Sequence, residues 1–410
     1  KGISCRPMKT AASVSTVPNA KIDHRSIGIL GVLTICAYGS WYYSFGVLLG
    51  PIQADTGWSE STLASSFSTG TILIGLSALF GGRLLDEVGH RPVFLLGGAL
   101  GTTALVVASS AGHIGVFFAG AAVGLAAFGS LGFYHVTMTT AVRLNPDEPA
   151  RAIAVLTIWG ALASAIFLPG ADWLQSALGW RSAVRILAGV TGAAFLVAAL
   201  ALPTTAPTVP TTRPSVLRLL ASTVSTPAPR LFTIAVGFGG MAMSTMLVFQ
   251  VPVMTAAGLG SATAASMAGL RGFCQLGGRL PLTPLVGWLG RDRALMVAFA
   301  AISAGGALLS IAGSIPVAAL FAVVAGFGIG AFSPLQGMKG EQLFERERLG
   351  ATMGVYGAVL LLVGSPGPIL GGIILERTGD ARWVTVIVVV AASIALTSTV
   401  FLARLHHQED

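Results

Sequence analysis

The 410-residue chain is short of charge. Asp, Glu, Lys and Arg together make up 10% of it, against roughly 25% in an average soluble protein. Apolar residues make up 54% and the mean hydropathy is +0.80, more apolar surface than a water-soluble chain of this length can hide. Cysteine is scarce as well. The three residues Cys5, Cys36 and Cys274 suggest neither a disulfide framework nor a metal site. The six histidines show no ligand spacing, apart from the adjacent His406 and His407. No phosphate-binding P-loop is present, so nothing points to ATP-driven transport. No nucleophile–base pair is visible either, so the sequence reads as neither an enzyme nor a cofactor or metal protein. Alternating ten-residue segments are missing, which excludes a transmembrane β-barrel.

What the chain does have is long uncharged runs: 92–112, 231–270, 294–338, 349–375 and 383–403. A bilayer-crossing helix needs about 20 apolar residues. Twelve spans are predicted, at 26–49, 60–84, 92–111, 114–141, 152–176, 182–203, 230–256, 262–288, 293–313, 316–340, 350–376 and 381–403. Each must satisfy its own backbone in lipid, so the fold class is an all-α integral membrane bundle.

The net charge of +8 could suggest nucleic acid, but its placement argues for a membrane instead. With the N-terminus in the cytoplasm, nineteen of the 24 Lys and Arg fall on the cytoplasmic side. Arg181, Arg185, Arg377 and Arg382 fall outside, and Arg271 belongs to neither side. This positive-inside bias predicts a multi-pass protein of the plasma (cytoplasmic) membrane with both tails cytoplasmic. The expected partners are the bilayer, a small solute and protons, with no nucleic acid, and the expected state is a monomer.

The stretch "TTAPTVPTTRPSVLRLLASTVSTPAP", 204–229, is the longest polar segment between spans and reads as a linker. It divides the chain into an N-terminal tail (1–25), a first six-helix bundle (26–203), the linker (204–229), a second bundle (230–405) and a C-terminal tail (406–410). The N-terminal tail up to about Pro18 is expected to be disordered. The two bundles echo each other weakly. Pro169 precedes Gly179 near the end of span 5, and Pro368 precedes Gly379 at the same place in span 11. Such halves are expected of transporters that rock around a central site.

The loop after span 2, "GGRLLDEVGHRPV", carries Gly82, Leu84, Asp86, Gly89 and Arg91 in the pattern Gly-x-Leu-x-Asp-x-x-Gly-x-Arg. Asp86 can pair with Arg91 or sit at a helix N-terminus, and Gly89 permits a tight turn. With twelve spans and a central linker, this motif resembles the major facilitator superfamily. The resemblance implies that Gly82, Asp86, Gly89 and Arg91 form a cytoplasmic latch against the other half. A weaker copy, "GWLGRDR", follows span 8. Four further segments, "YSFGVLLGPIQADTGWS", "LGWRSA", "FSPLQGMKGEQLFERERLG" and "GPILGGIILERTGD", resemble the monocarboxylate transporter and oxalate/formate antiporter-like branch. That resemblance implies transport of a small organic anion, often with a proton.

Arg271 lies nine residues into span 8, about 13 Å deep at 1.5 Å per residue. Such a position costs roughly 2.5–3.5 kcal/mol on the lenient insertion scale. No acid stands three or four residues away: those positions are Met267, Ala268, Cys274 and Gln275. An incoming carboxylate would match the guanidinium fork, and the resembling branch carries a substrate-binding arginine in this span. That branch commonly has an aspartate where Met267 stands, and many of its animal members have a lysine where Tyr43 stands. Tyr38, Tyr42, Tyr43, Tyr134, His135, Gln250, Gln275 and Tyr356 are the other polar candidates for the same cavity. Asp172 and His135 are the proton-coupling candidates. Arg279, nearer the cytoplasm, groups with the latch region. The function read from the sequence is secondary transport of a small organic anion, a monocarboxylate, by alternating access with proton symport. The alternatives are an organic anion antiporter of the dicarboxylate/formate type, a drug exporter of the same fold, and, in another class, a non-transporting membrane sensor.

Overall fold

The computed structural model describes residues 22–204, 221, 224–343 and 349–409. The N-terminal tail up to residue 21 and most of the linker fall outside the described residues, as do residues 344–348. All regular elements among the described residues are helical. Nine stretches of them are long and apolar enough to cross a membrane. The difference from twelve arises in two ways. Spans 5 and 6 form one helical run, Pro149–Ala201, that turns at Gly179 with φ 78° and ψ 157°. Spans 2 (Glu60–Val88) and 8 (Ser261–Arg279) are not among the nine; the side chains of residues 78–83 in span 2 lie outside those described, and span 8 carries two arginines and a glutamine. Span 1 runs further than its sequence suggests, to Thr56, and is stopped by Gly57 at φ 69°.

Contacts fix the arrangement. Gly31 meets Trp159 and Gly39 meets Phe167, so span 5 runs parallel to span 1. Thr102 donates to the Ala188 carbonyl and Arg185 to Ser109, so span 6 runs antiparallel to span 3. Among the described residues, the main contacts between the halves come from three pairs of spans. Span 1 meets span 7 where Gly46 faces the Val248 carbonyl. Span 5 meets span 8 where Gly272 faces Ser164. Span 2 meets span 11 through Thr71 and Ser365, whose hydroxyls share a 2.9 Å hydrogen bond. In lipid such contacts depend on close backbone approach rather than on the hydrophobic effect. The closest approach supports the helix that carries Arg271. A Cβ added at Gly326 of span 10 would lie 2.4 Å from the Arg271 carbonyl oxygen, and one at Gly330 2.1 Å from that of Gln275.

Among the described residues, spans 1, 4 and 8 depart from regular α geometry. Span 1 consists of His24–Ala37, a π-helical turn Tyr38–Tyr43, and Phe45–Thr56. Its wide turn closes through the Ser44 amide and hydroxyl, which both donate to the Gly39 carbonyl at 3.2 and 2.7 Å. Span 4 breaks at Phe133, in extended backbone between Ile114–Gly132 and Tyr134–Leu144. Span 8 stops at Arg279 and resumes as Leu282–Leu289. Span 11, Leu349–Gly364 and Pro366–Thr378, stays helical through Ser365, which has φ −60° and ψ −35° and donates its amide to the Leu361 carbonyl at 2.9 Å.

Candidate functional site

Arg271 is buried, with 2% of its surface exposed. Its Nε donates to Gln250 Oε1 of span 7 at 2.7 Å, and Gln250 is itself fully buried. The sequence named Gln250 as a lining candidate, but only the fold brings it to Arg271, across 21 positions. No acid pairs with Arg271 among the described residues, and the bond from Nε to Gln250 is its one side-chain hydrogen bond there. The guanidinium is thus oriented through one edge while its fork stays available. Gln275, one turn on, is also buried.

The wall facing this cation is aromatic and comes from spans 1 and 4. Tyr38 stacks on Phe133 with centroids 3.7 Å apart and planes 9° from parallel. Tyr134 lies 5.2 Å from Tyr38, Tyr42 5.9 Å and Tyr43 6.1 Å. In a regular helix Tyr38 and Tyr42 share a face at four residues' spacing. The wider π turn brings Tyr43 onto that face too, which the sequence pattern alone did not show. π turns recur at functional sites because they redirect side chains without ending the helix. The break at Phe133 places its ring against Tyr38. The hydroxyls of Tyr42 and Tyr43 make no hydrogen bond among the described residues, and both tyrosines lie within electrostatic range of Arg271.

The remaining candidates disperse. His135 Nε2 is tied to the Ser130 carbonyl at 2.8 Å, on the side of Ser77 and span 2. Tyr356 packs on Phe232 and places its hydroxyl 3.3 Å from Thr233, at the start of span 7 and away from Gln250. Asp172 is 5% exposed, with Gln175 Nε2 3.5 Å away. Arg279, which the sequence groups with the latch region, donates to the Thr157 carbonyl near the start of span 5 at 2.8 Å.

In the latch loop, Gly89 has φ 75°, as the tight turn requires, and Arg91 is exposed. Gly82 and the Asp86 side chain lie outside what is described. Gly290, in the weaker copy after span 8, adopts nearly the same conformation, with φ 80°. Arg143, from the end of span 4, donates to the Leu85 carbonyl at 3.1 Å. In the second half, Lys339 from the end of span 10 pairs with Asp292. At the opposite end of the bundle, two of the resembling segments meet. Asp55 accepts from Trp180 Nε1 at 2.9 Å and pairs with Arg181. A third crosses between the halves: Glu376 accepts from the Ser61 amide at 2.8 Å.

A family model of the Major Facilitator Superfamily matches residues 30–364. Human Monocarboxylate transporter 11 is 26% identical over 322 residues, covering 73% of this chain and 66% of that protein. A chloramphenicol resistance protein of Streptomyces lividans is 30% identical over 233 residues, 56% of this chain and 58% of its own length. The chain spans 40–66% of the length of the curated relatives it matches. Among solved structures, the nucleoside transporter NupG superposes with a TM-score of 0.78 at 15% identity, covering 92% of this chain and 99% of that one. At that identity the likeness concerns the fold.

Proposed function

The chain belongs to the major facilitator superfamily, and we propose that it is a secondary transporter of a small organic anion, a monocarboxylate, working by alternating access with a co-transported proton. The observation that carries this reading is the environment of Arg271: a membrane-buried guanidinium held at Nε by Gln250, its Nη edge unpaired among the described residues. A carboxylate would complete that edge with two charge-assisted hydrogen bonds. The free hydroxyls of Tyr42 and Tyr43 would add donors, and the Tyr38–Phe133 stack would receive the apolar body of the solute. Neutralising Arg271 would lower the cost of closing the two halves over it. The human relative supports a monocarboxylate.

Asp172 is the better proton candidate, being buried with one long polar contact, whereas His135 is committed to a backbone carbonyl. In this reading both tails are cytoplasmic in the plasma membrane, and residues 26–203 and 230–405 rock about the linker.

The test is uptake of labelled lactate, pyruvate, acetate, formate and oxalate into proteoliposomes, with and without an inward proton gradient. Charge-assisted hydrogen bonds are worth about 1.5–3 kcal/mol each, so Arg271→Ala should lose saturable uptake, with Arg271→Lys partly active. Uptake equal to wild type in Arg271→Ala would refute the assignment. A second reading, export of an apolar drug, draws on the aromatic wall and on the Streptomyces relative. It requires chloramphenicol transport that survives Arg271→Ala.

A further inference from the structure

Arg271 is not the only cation on its helix face. Gln275 follows it by four residues and Arg279 by eight, so the three side chains form one row about 12 Å long. Arg279 Nη2 lies 3.5 Å from Gln275 Oε1, which ties the lower half of the row together. Arg279 Nη1 donates to the Thr157 carbonyl, the same oxygen that takes the Tyr134 hydroxyl at 3.3 Å. The row therefore runs down the aromatic wall formed by spans 1 and 4, and Tyr43 lies within electrostatic range of both arginines. Arg279 Nε is buried and has no hydrogen-bond partner, and no acid pairs with Arg279 among the described residues. Two guanidinium groups thus stand on one face, neither with a counter-ion among the described residues.

We infer that Arg279 is a second anion station: after Arg271 releases its carboxylate toward the end of the bundle where Thr157 and the start of span 5 lie, Gln275 passes it on and Arg279 receives it. This rests on the carboxylate reading of Arg271. The physical need is that of any permeation path, in which one deep site traps its ligand and a neighbouring weaker site lets it leave. Arg279 suits the weaker role. It is only half-buried, and its bond to the Thr157 carbonyl crosses between the halves. A carboxylate arriving at Arg279 competes with that carbonyl, so occupation of the station and parting of spans 5 and 8 are one event.

Equilibrium binding of the five labelled carboxylates to the full chain in lipid nanodiscs tests this, using wild type, Arg271→Ala, Arg279→Gln and the double variant. Arg279→Gln should bind within about twofold of wild type while its turnover in proteoliposomes falls at least tenfold, with Arg279→Lys restoring part of the turnover. Arg271→Ala should retain binding weakened about 10- to 100-fold, and the double variant should show none. Residual binding that is identical in Arg271→Ala and the double variant would overturn the station. So would its absence in Arg271→Ala, or loss of tight binding in Arg279→Gln alone. If no carboxylate binds wild type, the reading of Arg271 itself fails. If one binds through Arg271 and Arg279 changes nothing, only the second station fails.

Discussion

The two six-helix halves bend at different places. In the first half, spans 1 and 4 lose regular geometry, at Tyr38–Tyr43 and at Phe133. Their counterparts in the second half, spans 7 and 10, run unbroken as Pro227–Ala256 and Ile315–Leu343. The second half instead breaks span 8, between Arg279 and Leu282. The halves thus echo each other in topology and divide the chemistry. The first turns aromatic rings and tyrosine hydroxyls toward the centre. The second presents buried cations and amides, clamped against span 10 at Gly326 and Gly330. A cation in lipid must be held rigidly by partners, whereas an aromatic wall can be shaped by loosening a helix.

The strongest way to break this division is to remove the clamp. In Gly330→Leu the new side chain meets the backbone of Gln275, which has no room to yield. Overpacking of this kind typically costs about 1–3 kcal/mol, and thermal unfolding in detergent should show a lowered Tm and lost uptake. Gly337→Ala, on the same helix, faces open space and should match wild type. The aromatic side is tested next. Tyr38→Ala removes the stack on Phe133, worth about 0.5–1.5 kcal/mol beyond area burial, and should raise the KM for the proposed carboxylate about tenfold. Tyr356→Phe, outside the cluster, should leave it within twofold.

The loops sharpen the comparison further. Lys339 is buried in its ion pair with Asp292, while Arg143 holds a backbone carbonyl. Lys339→Met should cost about 2 kcal/mol, below the usual buried-pair value because Asp292 is partly exposed. Arg143→Met should cost about 1 kcal/mol. The ranking is read from the two Tm values, and the reverse order would mean the first half's loop is the more firmly held. The smallest effect is expected at the loop between spans 11 and 12. The side chain and amide of Arg382 hold the Asp380 carboxyl below its ordinary value. A depressed folded value means that its contribution is present above the unfolded pKa, near 4, and is lost as pH falls through the folded value. Asp380→Asn should therefore flatten the acid limb of a Tm-against-pH curve and change Tm at pH 7 by about 1 °C or less.

Much of this protein could be read from its residues alone. Low charge with uncharged runs near 20 residues dictated a helical membrane bundle, because lipid leaves the backbone no other partner. The lone charge of Arg271 among apolar neighbours marked the centre for the same reason: an isolated cation in hydrocarbon is costly enough to stand out in any sequence. Tyr38, Tyr42, Tyr134 and Gln250 were legible as polar residues at depth. What sequence could not supply was which of them meet. His135 and Tyr356 look equivalent to Tyr134 along the chain, yet the fold turns them toward Ser130 and Thr233. The π turn that adds Tyr43 to the cluster, the Gln250 bond that orients Arg271, and the Thr157 carbonyl that draws Arg279 inward each depend on a partner far along the chain or on one extra residue in a helical turn. The solvent set the fold through composition, and tertiary packing alone decided the candidate site, because hydrogen-bond partners in a bundle are fixed by helix rotation and register.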